Sequence, residues 1–95
     1  MDEFARISLK SMVYQSALLK LGKTIRSLRK AQGISQENFA QRAGIERAWY
    51  GKIERGEANL TAHVILRLAH QLNVTPGELF KDIGAKDCVP SEADK

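Results

Sequence analysis

The stretch SQENFAQRAGIERAWYGKIERG, residues 35–56, decides the fold. It holds two short helical patterns separated by a glycine. Ser35 is a good N-cap, and Phe39, Ala40 and Ala43 fall on the inward face of a helix that Gly44 ends after barely two turns. A second helix starts near Glu46, turns Tyr50 and Ile53 inward, and closes at Gly56. Ile45 before it and Tyr50 within it have the spacing of a hydrophobic staple. Two helices so tightly joined can cross steeply, as in a helix-turn-helix, although the same turn also serves purely structural bundles.

The second helix is oddly written for a core element. Two aromatics, Trp49 and Tyr50, stand side by side, and Gly51 follows, where glycine costs about 1 kcal/mol relative to alanine. With Tyr50 and Ile53 inward, Arg47, Ala48, Gly51 and Lys52 share the outward face, with Arg55 nearby. A missing side chain at Gly51 lets a backbone approach a partner closely.

Outward from this stretch the chain stays helical. Leu18, Leu21, Ile25 and Leu28 form the stripe of an amphipathic first helix, stopped by Gly33. Thr61 caps a fourth helix carrying Ala62, Ile65, Leu68, Ala69 and Leu72. In TPGEL, Thr75 is the cap, Pro76 takes the first helical position and Glu78 completes a capping box, opening a short fifth helix with Leu79, Phe80 and Ile83. The expected fold is all-α: five short helices over residues 17–83, preceded by an extension (1–16) that is partly ordered at most and followed by a mobile tail (84–95). Met12 is either an alternative start, or residues 1–11 are an added segment that packs on the fourth helix.

Ninety-five residues with 43% hydrophobic and 27% charged content form one ordinary globular domain. Cys88 stands alone and forms no internal disulfide. The first residues lack the apolar core of a secretory signal, no run is long enough to span a bilayer, and a cytoplasmic location is expected. Charge is informative by position: residues 20–55 hold nine basic and three acidic residues, a balance of +6, whereas the whole chain carries +4. A basic centre between mildly acidic ends suits a polyanionic partner, and it equally describes a solvated surface.

The ordered set of pieces resembles the Xre/Cro/CI family of phage-repressor-type helix-turn-helix domains over residues 18–80. It comprises the arginine of helix one, GISQE at the start of helix two, the AQRAG turn, IERG closing helix three, and LNVTPGEL. ERGEANLT is similar, more narrowly, to the small controller proteins of restriction-modification systems. The resemblance implies a DNA-binding transcriptional regulator, reading a palindromic operator as a dimer, with helix three in the major groove.

On that implication, Arg47 lies where the family touches bases, and its guanidinium suits guanine O6 and N7, with a phosphate contact as the alternative. Ala48 meets a thymine methyl, Gly51 lies on the same base-facing surface, and Lys52 reaches a base or a phosphate. Glu46 replaces the usual Ser or Thr cap and either accepts from cytosine N4 or repels phosphate. Trp49 lies at the helix edge beside the DNA backbone or is partly buried, while Tyr50 is a core residue whose hydroxyl needs a partner. Ser35 and Gln36 at the start of helix two, Asn59 and Thr61 before helix four, and Arg55 and Lys23 are the backbone-contact candidates. Thr61 reads as plainly as a helix cap. Arg29 and Glu54 correspond to a structural ion pair beneath the motif.

Helix four is apolar nearly all round, broken by His63, Arg67 and His70. Val64, Leu66 and Leu68 exceed what one core face uses, and with Leu79 and Phe80 they are expected to form a homodimer interface. No nucleophile motif, phosphate loop or metal-ligand spacing points to an enzyme, a cofactor, a metal site or catalytic residues. The competing reading is an antitoxin that binds both a toxin and its own operator. The expected partners are operator DNA and a second copy, with RNA polymerase or a cognate toxin beside them and no membrane.

Overall fold

The computed structural model describes residues 14–88. Five α-helices follow one another: α1 (Gln15–Ala31), α2 (Gln36–Ala43), α3 (Arg47–Glu54), α4 (Ala62–Leu72) and α5 (Pro76–Leu79), with a final 3-10 turn at Ala85–Asp87. No strand occurs among the described residues, and no helix is long and apolar enough to cross a membrane. Met12 and the extension before residue 14 lie outside the described residues.

Local signals set the boundaries. Ser35 accepts a hydrogen bond from the Asn38 amide, Thr61 from Val64 and Thr75 from Glu78, each cap satisfying an N–H that the first turn leaves free. At Thr75 the hydroxyl provides the side-chain cap. Gly33, Gly44 and Gly56 follow helices with φ near +70°, as does Asn73 with φ 59°, a conformation open to glycine and tolerated by asparagine. α1 begins at Gln15, two residues before the expected 17, from Tyr14 without a side-chain cap.

The core joins α1 (Leu21, Ile25), α2 (Phe39, Ala40, Ala43), α3 (Tyr50, Ile53), α4 (Leu68, Ala69, Leu72) and Leu79 of α5. Each large apolar side chain withdrawn from water contributes about 1.5–3 kcal/mol. Phe39 and Tyr50 meet with ring centroids 5.1 Å apart and tilted, locking α2 onto α3. α1 lies against the end of α3, and two glycines make that approach possible. A side chain on Gly22 would strike the Glu54 and Ile53 carbonyls, and one on Gly56 would strike the backbone of Leu19.

Two residues expected at a dimer interface belong to this core instead. Leu68 and Leu79 are completely buried. Ile65, Leu68 and Leu72 are spaced three and four apart and share one stripe, so α4 turns Leu68 inward. Leu79 is buried where α5 packs on α4 and α1. Leu66 is 58% exposed, Phe80 37% exposed, and Val64 half-buried against the core.

Residues 84–88, expected to belong to the mobile tail, are fixed to α1. Asp87 is buried; it accepts from the Ser16 hydroxyl, from Lys20 Nζ at 3.0 Å and from the Gly84 amide at 2.9 Å. These donors, led by Ser16, hold its carboxyl well below the usual carboxylate range. Polar composition alone suggested a tail, whereas the buried carboxylate ties this segment down.

Candidate nucleic-acid interface

α2 and α3 are joined by Gly44, Ile45 and Glu46. Gly44, at φ 72°, supplies the reversal, and Ile45 tucks against the core. Arg67 of α4 secures the turn from behind, donating to the Ala43 and Gly44 carbonyls at 3.3 Å each and lying 2.9 Å from His63 Nε2. This clamp satisfies carbonyls that the end of α2 leaves without partners. It was not legible in a sequence where Arg67 read as part of a polar stripe.

The buried face of α3 carries Tyr50, Ile53 and Glu54. Glu46, Arg47, Ala48, Lys52 and Arg55 are exposed. Glu46 occupies the cap position but makes no capping bond, so its carboxylate stays unspent in solvent. Gly51 differs from expectation. It is not open backbone but lies covered, with Arg55 Nη1 and Arg47 Nη1 at 3.1 and 3.3 Å from where a side chain would begin. Residues 47, 51 and 55 form one i, i+4 row, and the two long arginines extend across the gap that glycine leaves. Arg55 also pairs with Glu57 at 3.3 Å, an exposed bridge that contributes little to stability.

Beneath this surface Arg29 and Glu54 form the expected ion pair, with 8% and 2% of their side chains exposed. Arg29 Nε donates to Glu54 Oε2 at 2.7 Å and Nη2 to Oε1 at 3.2 Å, while Nη1 reaches the Ile34 carbonyl at 2.7 Å. Tyr50 donates its hydroxyl to Glu54 Oε2 at 2.5 Å, and Gln36 donates its amide to Oε1 at 2.7 Å. Burial pushes Glu54 up, but the bonds from Arg29, Tyr50 and Gln36 prevail and hold it below its ordinary value. The hydrogen bond to Glu54 raises Arg29, so the pair stays ionised. Burial, reinforced by the bond to Glu54, pushes the Tyr50 phenol well above its usual range.

The network brings the start of α2 and the end of α3 together. Gln36 is half-buried and tied to Glu54, with Ser35 beside it serving as the cap. Trp49 is half-buried and packs against the core, so its indole is neither fully exposed nor fully enclosed. Asn59 and Thr61 are exposed in the loop before α4, with Thr61 acting as a cap. Lys23 is exposed on α1, next to the glycine that meets α3.

Comparison with known proteins agrees with this arrangement. The family profile described as helix-turn-helix matches residues 25–79. Control protein C.SmaI of Serratia marcescens is 34% identical over 67 residues, covering 70% of this chain and 80% of that protein. Control protein C.MunI of a Mycoplasma species is 33% identical over 66 residues, covering 68% and 89%. The crystal structure of the restriction-modification controller protein C.AhdI from Aeromonas hydrophila superposes with a TM-score of 0.66 at 43% identity, spanning 68% of this chain and 98% of that one. With α3 exposed behind a clamped turn and these similarities along its length, the chain belongs to the Xre/Cro/CI-like helix-turn-helix family of DNA-binding transcriptional regulators, and its relatives include restriction-modification controller proteins.

Proposed function

We propose that the chain binds a palindromic operator as a homodimer and controls transcription at a restriction-modification locus. The observation that carries this reading is the exposed face of α3, where Arg47, Ala48 and Lys52 stand free of the core. In the groove, Arg47 donates to guanine and Ala48 meets a thymine methyl. Glu46, whose carboxylate caps nothing, accepts from cytosine N4. Lys52 reaches a base or a phosphate, and Gly51 admits the backbone once Arg47 and Arg55 swing outward to the DNA.

The start of α2 supplies backbone contacts from Ser35 and Gln36, where free N–H groups and the helix dipole favour an anion. Trp49, Arg55, Asn59, Thr61 and Lys23 extend those contacts along the strand. Leu66 on α4 and Phe80 just after α5, both large apolar residues left exposed, form the centre of the dimer contact with Val64 at its margin. Selection of bound duplexes from a random pool tests this reading. The expected product is an inverted repeat whose half-sites are about one helical turn apart, or a multiple of it. A pool that returns no inverted repeat, from protein that remains folded, overturns it.

A further inference from the structure

We infer that Tyr50 is a positioning residue for DNA binding: through Glu54, its buried hydroxyl fixes the Gln36 amide for a phosphate. The inference rests on the proposed contact between Gln36 and the DNA backbone.

A carboxylate offers about four acceptor positions, and Glu54 fills all of them. Oε2 takes Arg29 Nε and the Tyr50 hydroxyl, while Oε1 takes Arg29 Nη2 and Gln36 Nε2. Tyr50 and Glu54 are one turn apart on α3, so this bond clamps the carboxylate to its own helix, while Arg29 holds it from α1. An ionised carboxylate can only accept, which dictates that Gln36 turns its nitrogen toward Glu54. That nitrogen carries two protons. One is held by Glu54, and the other is left for a phosphate oxygen at the start of α2. Arg29 offsets the charge that Glu54 would otherwise set against the phosphate.

The phenol is not explained by packing alone. Tyr50 is completely buried, and its ring already meets Phe39, a contact that phenylalanine would make equally well. Burying a hydroxyl is unfavourable unless it is bonded, and here its bond goes to the carboxylate that holds Gln36. Phe39 lies on α2, one turn after Gln36, so the ring and the hydroxyl of one residue fasten both ends of the same contact.

The test compares wild type, Tyr50→Phe, Gln36→Ala and the double variant. Each binds a fluorescent 30-base-pair duplex of random sequence at low salt, well below its own unfolding midpoint. Random sequence isolates the phosphate contact from base reading. Each single substitution is expected to weaken binding about 2- to 10-fold, the range of one hydrogen bond. The double variant is expected to bind no more weakly than Gln36→Ala alone, because Tyr50 acts only through Gln36. Losses that multiply in the double variant overturn the inference, as does wild-type affinity in Tyr50→Phe. If Gln36→Ala binds normally while Lys52→Ala does not, the inference falls and the DNA-binding reading survives. If wild type binds no duplex at all, that reading fails with it.

Discussion

Gly22 of α1 sits directly against Glu54 of α3: a side chain on Gly22 would begin 2.5 Å from the Glu54 carbonyl oxygen and 2.6 Å from that of Ile53. Both oxygens are backbone atoms and cannot rotate away. Gly22→Ala therefore has to separate the helix that carries Arg29 from the helix that carries Glu54. Overpacking of this kind costs about 1–3 kcal/mol, and each kcal/mol lowers the melting midpoint of a domain this size by about 4–8 °C. Thermal unfolding followed by circular dichroism checks it. Gly51→Ala provides the contrast, since only the mobile ends of Arg47 and Arg55 are in its way. There the gain in helix propensity, about 1 kcal/mol, is expected to leave the fold at least as stable while weakening DNA binding.

The buried pair makes stability depend on pH at both ends. Glu54 has its folded pKa held below the ordinary 4.5, so its contribution is complete above that pH and is lost as pH falls through the folded value. Tyr50 is raised above its ordinary 10.0, so its contribution is complete below pH 10 and declines above it. Denaturant titrations across pH should show both limbs. Tyr50→Phe is expected to flatten the alkaline limb relative to wild type while leaving an acid limb. Glu54→Gln strands the Arg29 charge beneath the motif, at a cost of about 3–5 kcal/mol.

Arg47 is exposed and its guanidinium rests over Gly51, so removing it should leave the fold intact. Arg47→Ala is expected to weaken binding to the selected operator by about 1–3 kcal/mol and to relax the preference at one base pair. Random duplex should be affected far less. An unchanged ratio of operator to random affinity would reassign Arg47 from base reading to a phosphate.

The order of helices was legible from caps and glycines, because Ser35, Thr61 and Thr75 each act within three residues of their own position. So was the Arg29–Glu54 pair, through the family resemblance. Contacts across long separations were not. Nothing near Asp87 in the chain announces Ser16 and Lys20, and nothing near Arg67 announces the carbonyls of Ala43 and Gly44. Tyr50 stood between these cases. The sequence reads it as a core residue whose hydroxyl needs a partner, but only the fold shows that partner to be Glu54, with Gln36 at the other oxygen. Leu68 was misplaced because α4 is apolar on several sides, and hydrophobicity then no longer says which side faces in; Leu79 was misplaced because its burial comes from the packing of α5 on both α4 and α1, contacts distant in the chain.

That misplacement supplies a sharp test of the dimer. Leu66 and Leu68 are two residues apart on α4 yet lie on opposite sides of it, one 58% exposed and the other completely buried. A shared interface role would give similar phenotypes; the structure predicts different ones. Leu68→Ala leaves a cavity in the core and is expected to cost about 2–5 kcal/mol of stability. Leu66→Asp leaves the core untouched and places a charge in the apolar centre of the proposed interface. It is expected to shift sedimentation from dimer to monomer at tens of micromolar and to weaken operator binding, while the melting midpoint extrapolated to low concentration stays close to that of wild type. Dimers that persist in Leu66→Asp move the interface away from this face of α4, and a wild type that sediments as a monomer without DNA rules out a preformed dimer.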